Sequence, residues 1–332
     1  MKTRNLFIVL FSLSLFMTSC SSSDDDDNNT PATTTVIDVA LENGLTSLVA
    51  ALEATGLVAT LEGTGPFTLF AADNAAFDVF LTATGIDLDN MSADELIALT
   101  NILRNHIIVG ENISAADFVT GVAGYKMTDA IGPNGNNLSL YFSAVSDVVL
   151  NGQSTVTDAD KTATNGILHI VNTVIALPTI GIFMATNPAL EDLVTAMELA
   201  DSGTPTIPYQ LTIFNPDAVP FTVFAPTNTA FDSLLAELVD LDIVPDGTEV
   251  GDLDPAFVDD FLTYHILATN VTSSQLPDGV VTTLGGEIIA DNTAFTLTDG
   301  NDRVSTIVTT LMDIQGVNGV VHVIDTVLLP TD

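Results

Sequence analysis

The chain has 332 residues, 47% of them hydrophobic and only 15% charged, so it can bury substantial cores, and its length suits about two domains. Its six basic residues (Lys2, Arg4, Arg104, Lys126, Lys161 and Arg303) face 43 acids, a formal net charge of −37. Such a polyanion repels nucleic acid and bare anionic membrane, which need Lys and Arg to neutralise phosphate, and those functions are excluded.

The amino terminus reads as a targeting segment. Lys2 and Arg4 precede LFIVLFSLSLFM, residues 6–17, an apolar run too short for a comfortable transmembrane helix and suited to a signal-peptide core. MTSC follows, ending in the single cysteine, Cys20. Residues 1–20 thus resemble a bacterial lipoprotein signal, cleaved before a cysteine that takes the lipid, with Met17 where Leu is commoner. The plainer reading is an ordinary signal peptide with a stray cysteine. One cysteine permits no intramolecular disulfide, and if it carries lipid no thiol chemistry remains. SSSDDDDNNTPATTT, residues 21–35, lacks apolar periodicity and carries four adjacent carboxylates, which predicts a disordered acidic tether. Ser-Asp runs after a lipidated cysteine also resemble an export signal to the outer face of the outer membrane.

Beyond the tether, helix and strand signals alternate. TSLVAALEATG (46–56) sets Leu48, Val49 and Leu52 on one helical face, with Gly56 as a stop. FTLFAADNAAF (67–77) predicts a strand from Phe67, then a helix capped by Asn74 with Phe77, Phe80 and Leu81 on one side. Ser92 to Glu95 form a capping box opening a helix with Leu96, Leu99, Ile102, Leu103 and His106 inward. NGILHIVNTVIALP (165–178), holding His169, reads as a buried or half-buried strand.

The same order then recurs. FTVFAPTNTAF (221–231) matches the earlier phrase at seven of eleven positions, LTYHILAT (262–269) echoes LRNHIIVG (103–110), and NGVVHVIDTVLLP (318–330) echoes the strand at 165–178. A repeat this long means two whole domains with almost no linker near Pro178 to Gly181, packed closely or pivoting only slightly. In the second copy Phe221, Val223 and Phe224 supply the strand. Pro226, Thr227 and Asn228 make the capping turn, and Phe231 enters the core. Asp254 caps the next helix with Pro255 at its first position, and Phe257, Phe261 and His265 form its stripe. ADSGTPTIPYQLTIFNPDAVP, residues 200–220, is extra and reads as a loop insertion. Helices gathered ahead of strands predict an α+β fold in each domain. The phrases and the four histidines (His106, His169, His265 and His322) are expected to serve the scaffold.

The FTVFAPTNTAF phrase, the Tyr264–His265 pair and NGVVHVIDTVLLP together resemble the fasciclin domain, over residues 36–178 and 180–330. The first copy departs, with Ala72–Asp73 in place of Pro226–Thr227 and Asn105 in place of Tyr264. The resemblance implies two tandem domains, each a small β wedge or sandwich packed with short helices, and a role in adhesion. It also implies partner binding near Tyr264 and His265, with Asn105 and His106 as the first-domain counterparts.

No nucleophile elbow, phosphate loop, dinucleotide fingerprint or zinc-protease motif occurs. The acidic loops DLDN (87–90) and DGTEVGDLD (246–254) offer oxygen ligands for weak calcium binding but lack EF-hand spacing, so no metal-site residue and no firm cofactor is expected. The expectation is a lipid-anchored, non-catalytic surface protein of the outer membrane that binds extracellular polysaccharide or surface protein and meets the membrane only through its lipid. Two alternatives stay open: a structural outer-membrane or matrix component, and a glycan-processing accessory with its site in the 200–220 insertion.

Overall fold

The computed structural model describes residues 34–118 and 123–331. The expected signal segment, Cys20 and the expected tether up to residue 33 lie outside them. Thr34 and Thr35, assigned to the tether, instead belong to the fold. The Thr34 carbonyl accepts from the Thr164 amide at 2.8 Å, and Thr35 forms a capping box with Asp38.

The first domain opens with α1 (Val36–Glu42), α2 (Thr46–Ala54) and α3 (Val58–Leu61), followed by β1 (Phe67–Ala72), α4 (Asn74–Thr84), α5 (Ala93–Arg104) and β2 (Ile107–Val109). It closes with β3 (Ala123–Ile131), β4 (Asn137–Ala144), β5 (Val148–Leu150), β6 (Ser154–Ala163) and β7 (Gly166–Val171). These strands make one seven-stranded sheet in the order β2-β1-β7-β6-β5-β4-β3. The phrase strand β1 lies parallel to β7, pairing Phe67 with Gly166 and Phe70 with His169. The expected inward faces are largely seen: Leu48, Leu52, Phe77, Leu99 and Leu103 are fully buried. Leu96, expected inward, lies in the first turn of α5 and is exposed, lining an open surface groove with Ile97 and Ile131.

The second domain repeats the plan with α6 (Ile180–Thr186), α7 (Glu191–Asp201), α8 (Tyr209–Ile213), β8 (Phe221–Pro226), α9 (Asn228–Asp240), α10 (Pro255–Tyr264) and β9 (Ile266–Leu267). Its strands split into two sheets. One is β10 (Gly279–Thr282), β11 (Glu287–Asp291), β12 (Thr296–Thr298) and β13 (Val304–Thr306); the other runs in the order β14-β15-β8-β9, with β14 at Ile314–Gly316 and β15 at Gly319–Ile324. Again the phrase strand β8 is parallel to the last strand, pairing Phe224 with His322. Fully burying each such aromatic contributes about 1.5–3 kcal/mol.

Residues 200–220 are not simply an inserted loop. They include α8, whose end, Ile213, plays the part that Leu61 plays at the end of α3: each carbonyl accepts from the amide of an asparagine, Asn318 at 2.8 Å and Asn165 at 2.7 Å. The extra residues around α8 are pinned by Asp201, which accepts from the Tyr209 and Gln210 amides, and by buried Asp259, which accepts from Thr206 and from the Tyr209 hydroxyl at 2.6 Å.

The two repeats pack directly on each other. Tyr141 of β4 is 1% exposed and sits in the second domain's core cluster with Phe183 and Ile314. Tyr125 stands edge-on to Phe183, with ring centroids 5.6 Å apart, and the Gln315 amide donates to Ser139 Oγ at 3.0 Å.

Candidate functional site

One set of equivalent residues converges, in each domain, on one loop: the stretch that follows β2 or β9. In the first domain Thr68 Oγ1 donates to the Glu111 carbonyl and accepts from the Ile113 amide, both at 2.9 Å. His169 Nε2 donates to the Ile113 carbonyl at 2.8 Å, and Asp160 accepts from the Ala115 amide. The second domain does the same with Thr222, His322 and Asp313. Thr222 bridges Thr269 and Val271, His322 Nε2 meets the Val271 carbonyl at 2.9 Å, and Asp313 holds the Ser273 amide at 2.7 Å. Asp160 and Asp313 both adopt left-handed backbone, at φ 59° and 58°, and each donates its own amide to the Nδ1 of that histidine at 3.3 Å. The imidazoles are further packed on the phrase aromatics, Phe70 at 5.6 Å and Phe224 at 5.8 Å between ring centroids.

The other two histidines fasten the chain that leaves the last strand. His106 Nδ1 donates to the Ile102 carbonyl at 2.8 Å while its Nε2 accepts from the Ile175 amide at 2.8 Å. His265 repeats this with Phe261 at 2.7 Å and Leu328 at 3.0 Å. Burial disfavours the charged imidazolium and pushes both residues down to about 4, so both are neutral at physiological pH. The same cause lowers His169 and His322. With both ring nitrogens of each histidine spent on backbone, none is free to act as a base or metal ligand.

The pairs expected to face a partner are buried as well. Tyr264 is 5% exposed and gives its hydroxyl to the Glu287 carbonyl at 2.8 Å. Asn105, in the equivalent place, is fully buried, donating to the Ala176 carbonyl at 3.0 Å and accepting from Thr128. The expectation that Tyr264, His265, Asn105 and His106 present their side chains to a partner therefore fails, because each is consumed in tying a helix end to its sheet.

Asn74 was expected to cap its helix and the Pro226–Thr227–Asn228 turn the next; the caps are Asp73, one residue earlier, and, within that turn, Thr227. Asp73 accepts from the Ala76 amide and Thr227 from the Ala230 amide. Each asparagine stands one position inside and latches its helix to the start of another. Asn74 accepts from the Ser47 amide and donates to the Gly44 carbonyl, and Asn228 does so with Asp192 and Pro188. Phe67, Phe77, Phe221 and Phe231 are buried scaffold as expected.

Asn165 and Asn318 escaped the reading of the sequence. Each accepts from the first amide of its domain's leading helix, Val36 or Ile180, at 2.9 Å. Their signal was present: both precede the Gly of the repeated terminal strand, as Thr68 and Thr222 both follow the first Phe of the phrase, and Asp160 and Asp313 both lie nine residues before a histidine.

In the acidic loops, much of the carboxylate capacity serves backbone. Asp87 accepts from the Asp89 amide, Glu249 and Asp252 cap one another's turn, and Asp254 caps α10. Among the described residues no group of three or more His, Cys, Asp or Glu side chains is arranged to hold a metal, and no helix is long and apolar enough to cross a membrane.

Comparison with known proteins finds several similar chains. Human periostin is 29% identical over 86% of the chain, and pig transforming growth factor-beta-induced protein ig-h3 is 27% identical over 81%. A Synechocystis protein is 37% identical over 33% of the chain. The chain spans 31%, 35% and 56% of the lengths of these relatives. A solved fasciclin domain pair from the insect cell adhesion molecule fasciclin I aligns over 88% of the chain and 95% of its own, at 18% identity and a TM-score of 0.46. The fasciclin domain profile matches residues 43–178 and 190–330, and the chain belongs to the fasciclin family as a tandem pair of these domains.

Proposed function

We propose that this chain is a lipid-anchored, non-catalytic surface protein whose paired fasciclin domains hold extracellular polysaccharide or surface protein. Family membership supports an adhesion-type role. The observation that carries the reading is how completely the polar residues of the repeated motifs are spent on the protein's own backbone, from His106 and His265 to Thr222 and Asp313. What remains to meet a partner is the outer surface of a fused domain pair.

The anchor part of the proposal rests on the sequence: the signal segment, Cys20 and the Asp-rich stretch at 24–27. It places the protein on the outer face of the outer membrane, with the lipid as its only membrane contact. Calcium enters this reading only as a weakly bound ion on the acidic loops.

Of the two carboxylates at 200–220, Asp201 accepts from the Tyr209 and Gln210 amides and only Asp217 is left exposed. Neighbouring Asp259 is engaged with Thr206 and Tyr209. A single exposed carboxylate falls short of the pair that glycoside hydrolysis uses, which favours binding over glycan processing there. Protease treatment of intact cells tests the placement. The protein is expected to be digested without lysis, and to lose its membrane attachment in the Cys20→Ala variant; protection in intact cells contradicts surface display.

A further inference from the structure

Between the two domains, beside the clamp that Asp313 makes with Ser273, lies an open cleft of about 340 Å³. One wall comes from the first domain: Met127 on β3 and Asn136 and Asn137 beside the β3–β4 turn. The other comes from the second: Thr272 and Ser274 after β9, with Asp313. The walls are fixed to each other. Asn134, in left-handed backbone at φ 58°, donates across to the Asn270 carbonyl at 3.3 Å. Buried Gln315 accepts from Asn136 at 3.4 Å and exchanges hydrogen bonds with the Asn270 side chain.

The chemistry of the cleft is specific. Asn136 and Asn137 commit their amide nitrogens to Gln315 and to the Thr128 carbonyl, leaving the amide oxygens as acceptors. Exposed Ser274 adds a hydroxyl, paired with Thr272 Oγ1 at 3.1 Å. Asp313 adds a carboxylate, 37% exposed, whose two oxygens accept from the Ser273 amide and hydroxyl and keep lone pairs for a further donor. Met127, 62% exposed, supplies one apolar surface. No cation lines the cleft, and the whole chain carries −37, so an anionic ligand is repelled. Nor does its lining contain an aromatic or a second large apolar side chain of the kind that anchors peptides. Closely spaced acceptors and hydroxyls around one apolar surface suit a ligand with alternating O–H and C–H groups. Sites at domain boundaries with a few convergent polar groups are where small ligands commonly bind.

We infer that this interdomain cleft is a binding subsite for neutral polysaccharide. The ligand's hydroxyls meet Asp313, Ser274 and the Asn136 and Asn137 amides, and a C–H face of one sugar ring rests on Met127. This inference rests on the adhesive reading above and narrows its ligand to uncharged glycans.

The test is binding of the full-length protein to a panel of neutral polysaccharides (dextran, mannan, galactan and arabinan), with alginate as the anionic control. At least one neutral glycan is expected to bind and alginate not. Ser274→Tyr, which fills the cleft, and Met127→Glu, which removes its apolar surface, each lower that binding tenfold or more. Both positions are exposed, so unchanged thermal unfolding confirms an intact fold. Binding insensitive to both variants, or absent across the neutral panel, overturns the subsite. Should cells displaying the protein still attach to extracellular material in that case, the adhesive reading stands with a different ligand; loss of attachment as well would end both.

Discussion

The Leu328 amide donates to His265 Nε2 at 3.0 Å, and the Ile175 amide makes the same bond to His106 at 2.8 Å, so in both domains a neutral histidine fastens the segment that follows the last strand. An imidazolium cannot accept such a bond, and burial holds both residues down to about 4 against an ordinary 6.5. The unfolded chain therefore binds protons that the folded chain refuses. Stability is full above about pH 6.5 and is lost as pH falls towards 4, with a slope of up to about 1.4 kcal/mol per pH unit for each histidine. Denaturant titrations from pH 7.5 to pH 4 are expected to show this fall, and His106→Gln and His265→Gln to flatten it while lowering stability at pH 7. A pH-independent midpoint would contradict the assignment.

Asn228 and Thr227 do different work despite being neighbours. Thr227→Ala removes a helix cap and is expected to cost about 1 kcal/mol. Asn228→Ala breaks two bonds to the start of another helix and leaves the Asp192 amide and Pro188 carbonyl without their partner, costing about 2 kcal/mol. Equilibrium unfolding of both variants checks the order; a larger loss for Thr227→Ala would reverse it.

Thr222→Val keeps the side-chain shape and removes the hydroxyl that bridges Thr269 and Val271. The loop at 269–273 is expected to open, with amide exchange at Val271 and Ser273 accelerating more than tenfold while the helices of the first domain keep their protection. Unchanged exchange at Val271 would remove Thr222 from the clamp.

Tyr264→Phe deletes only the hydroxyl bound to the Glu287 carbonyl, a loss of about 1 kcal/mol. Because Tyr264 is 5% exposed, attachment to extracellular material is expected to be unchanged. A loss of attachment with intact folding would return the Tyr264–His265 pair to partner binding.

Tyr141→Ala empties a site in the first domain that the second domain's core fills against. A loss of about 3–5 kcal/mol is expected, as for other large aromatics cut to Ala. Its signature is faster amide exchange in α6 and β14, across the domain boundary. Confinement of the effect to the first domain would mean that the interface carries no coupling.

Much of the frame was legible from repetition alone. Each strand of the phrase, the capping box at Ser92 and the Asp254–Pro255 helix start are local signals, set by nearest neighbours in the chain. The parallel pairing of β1 with β7 and of β8 with β15 is not local, and nothing in the sequence reading indicated it. The roles of Asn74, Asn165 and Thr68 were illegible for the same reason. Each bonds a residue 27 to 129 positions away, so identity at the repeat marks importance without naming the partner. Partner binding at the Tyr264–His265 pair was implied by the family resemblance and not by the residues, whose helical stripe already pointed His265 inward, and the structure buries both. Nothing local marks the interdomain cleft, whose two walls lie more than a hundred residues apart.

Attachment of whole cells tests the central claim most directly. Cells with the gene disrupted are compared with cells restored by the full-length chain, on surfaces coated with their own extracellular material. The adhesive account predicts that attachment falls on disruption and returns with the intact protein. Equal attachment in both strains, with the restored protein shown to be present at the surface, would contradict it.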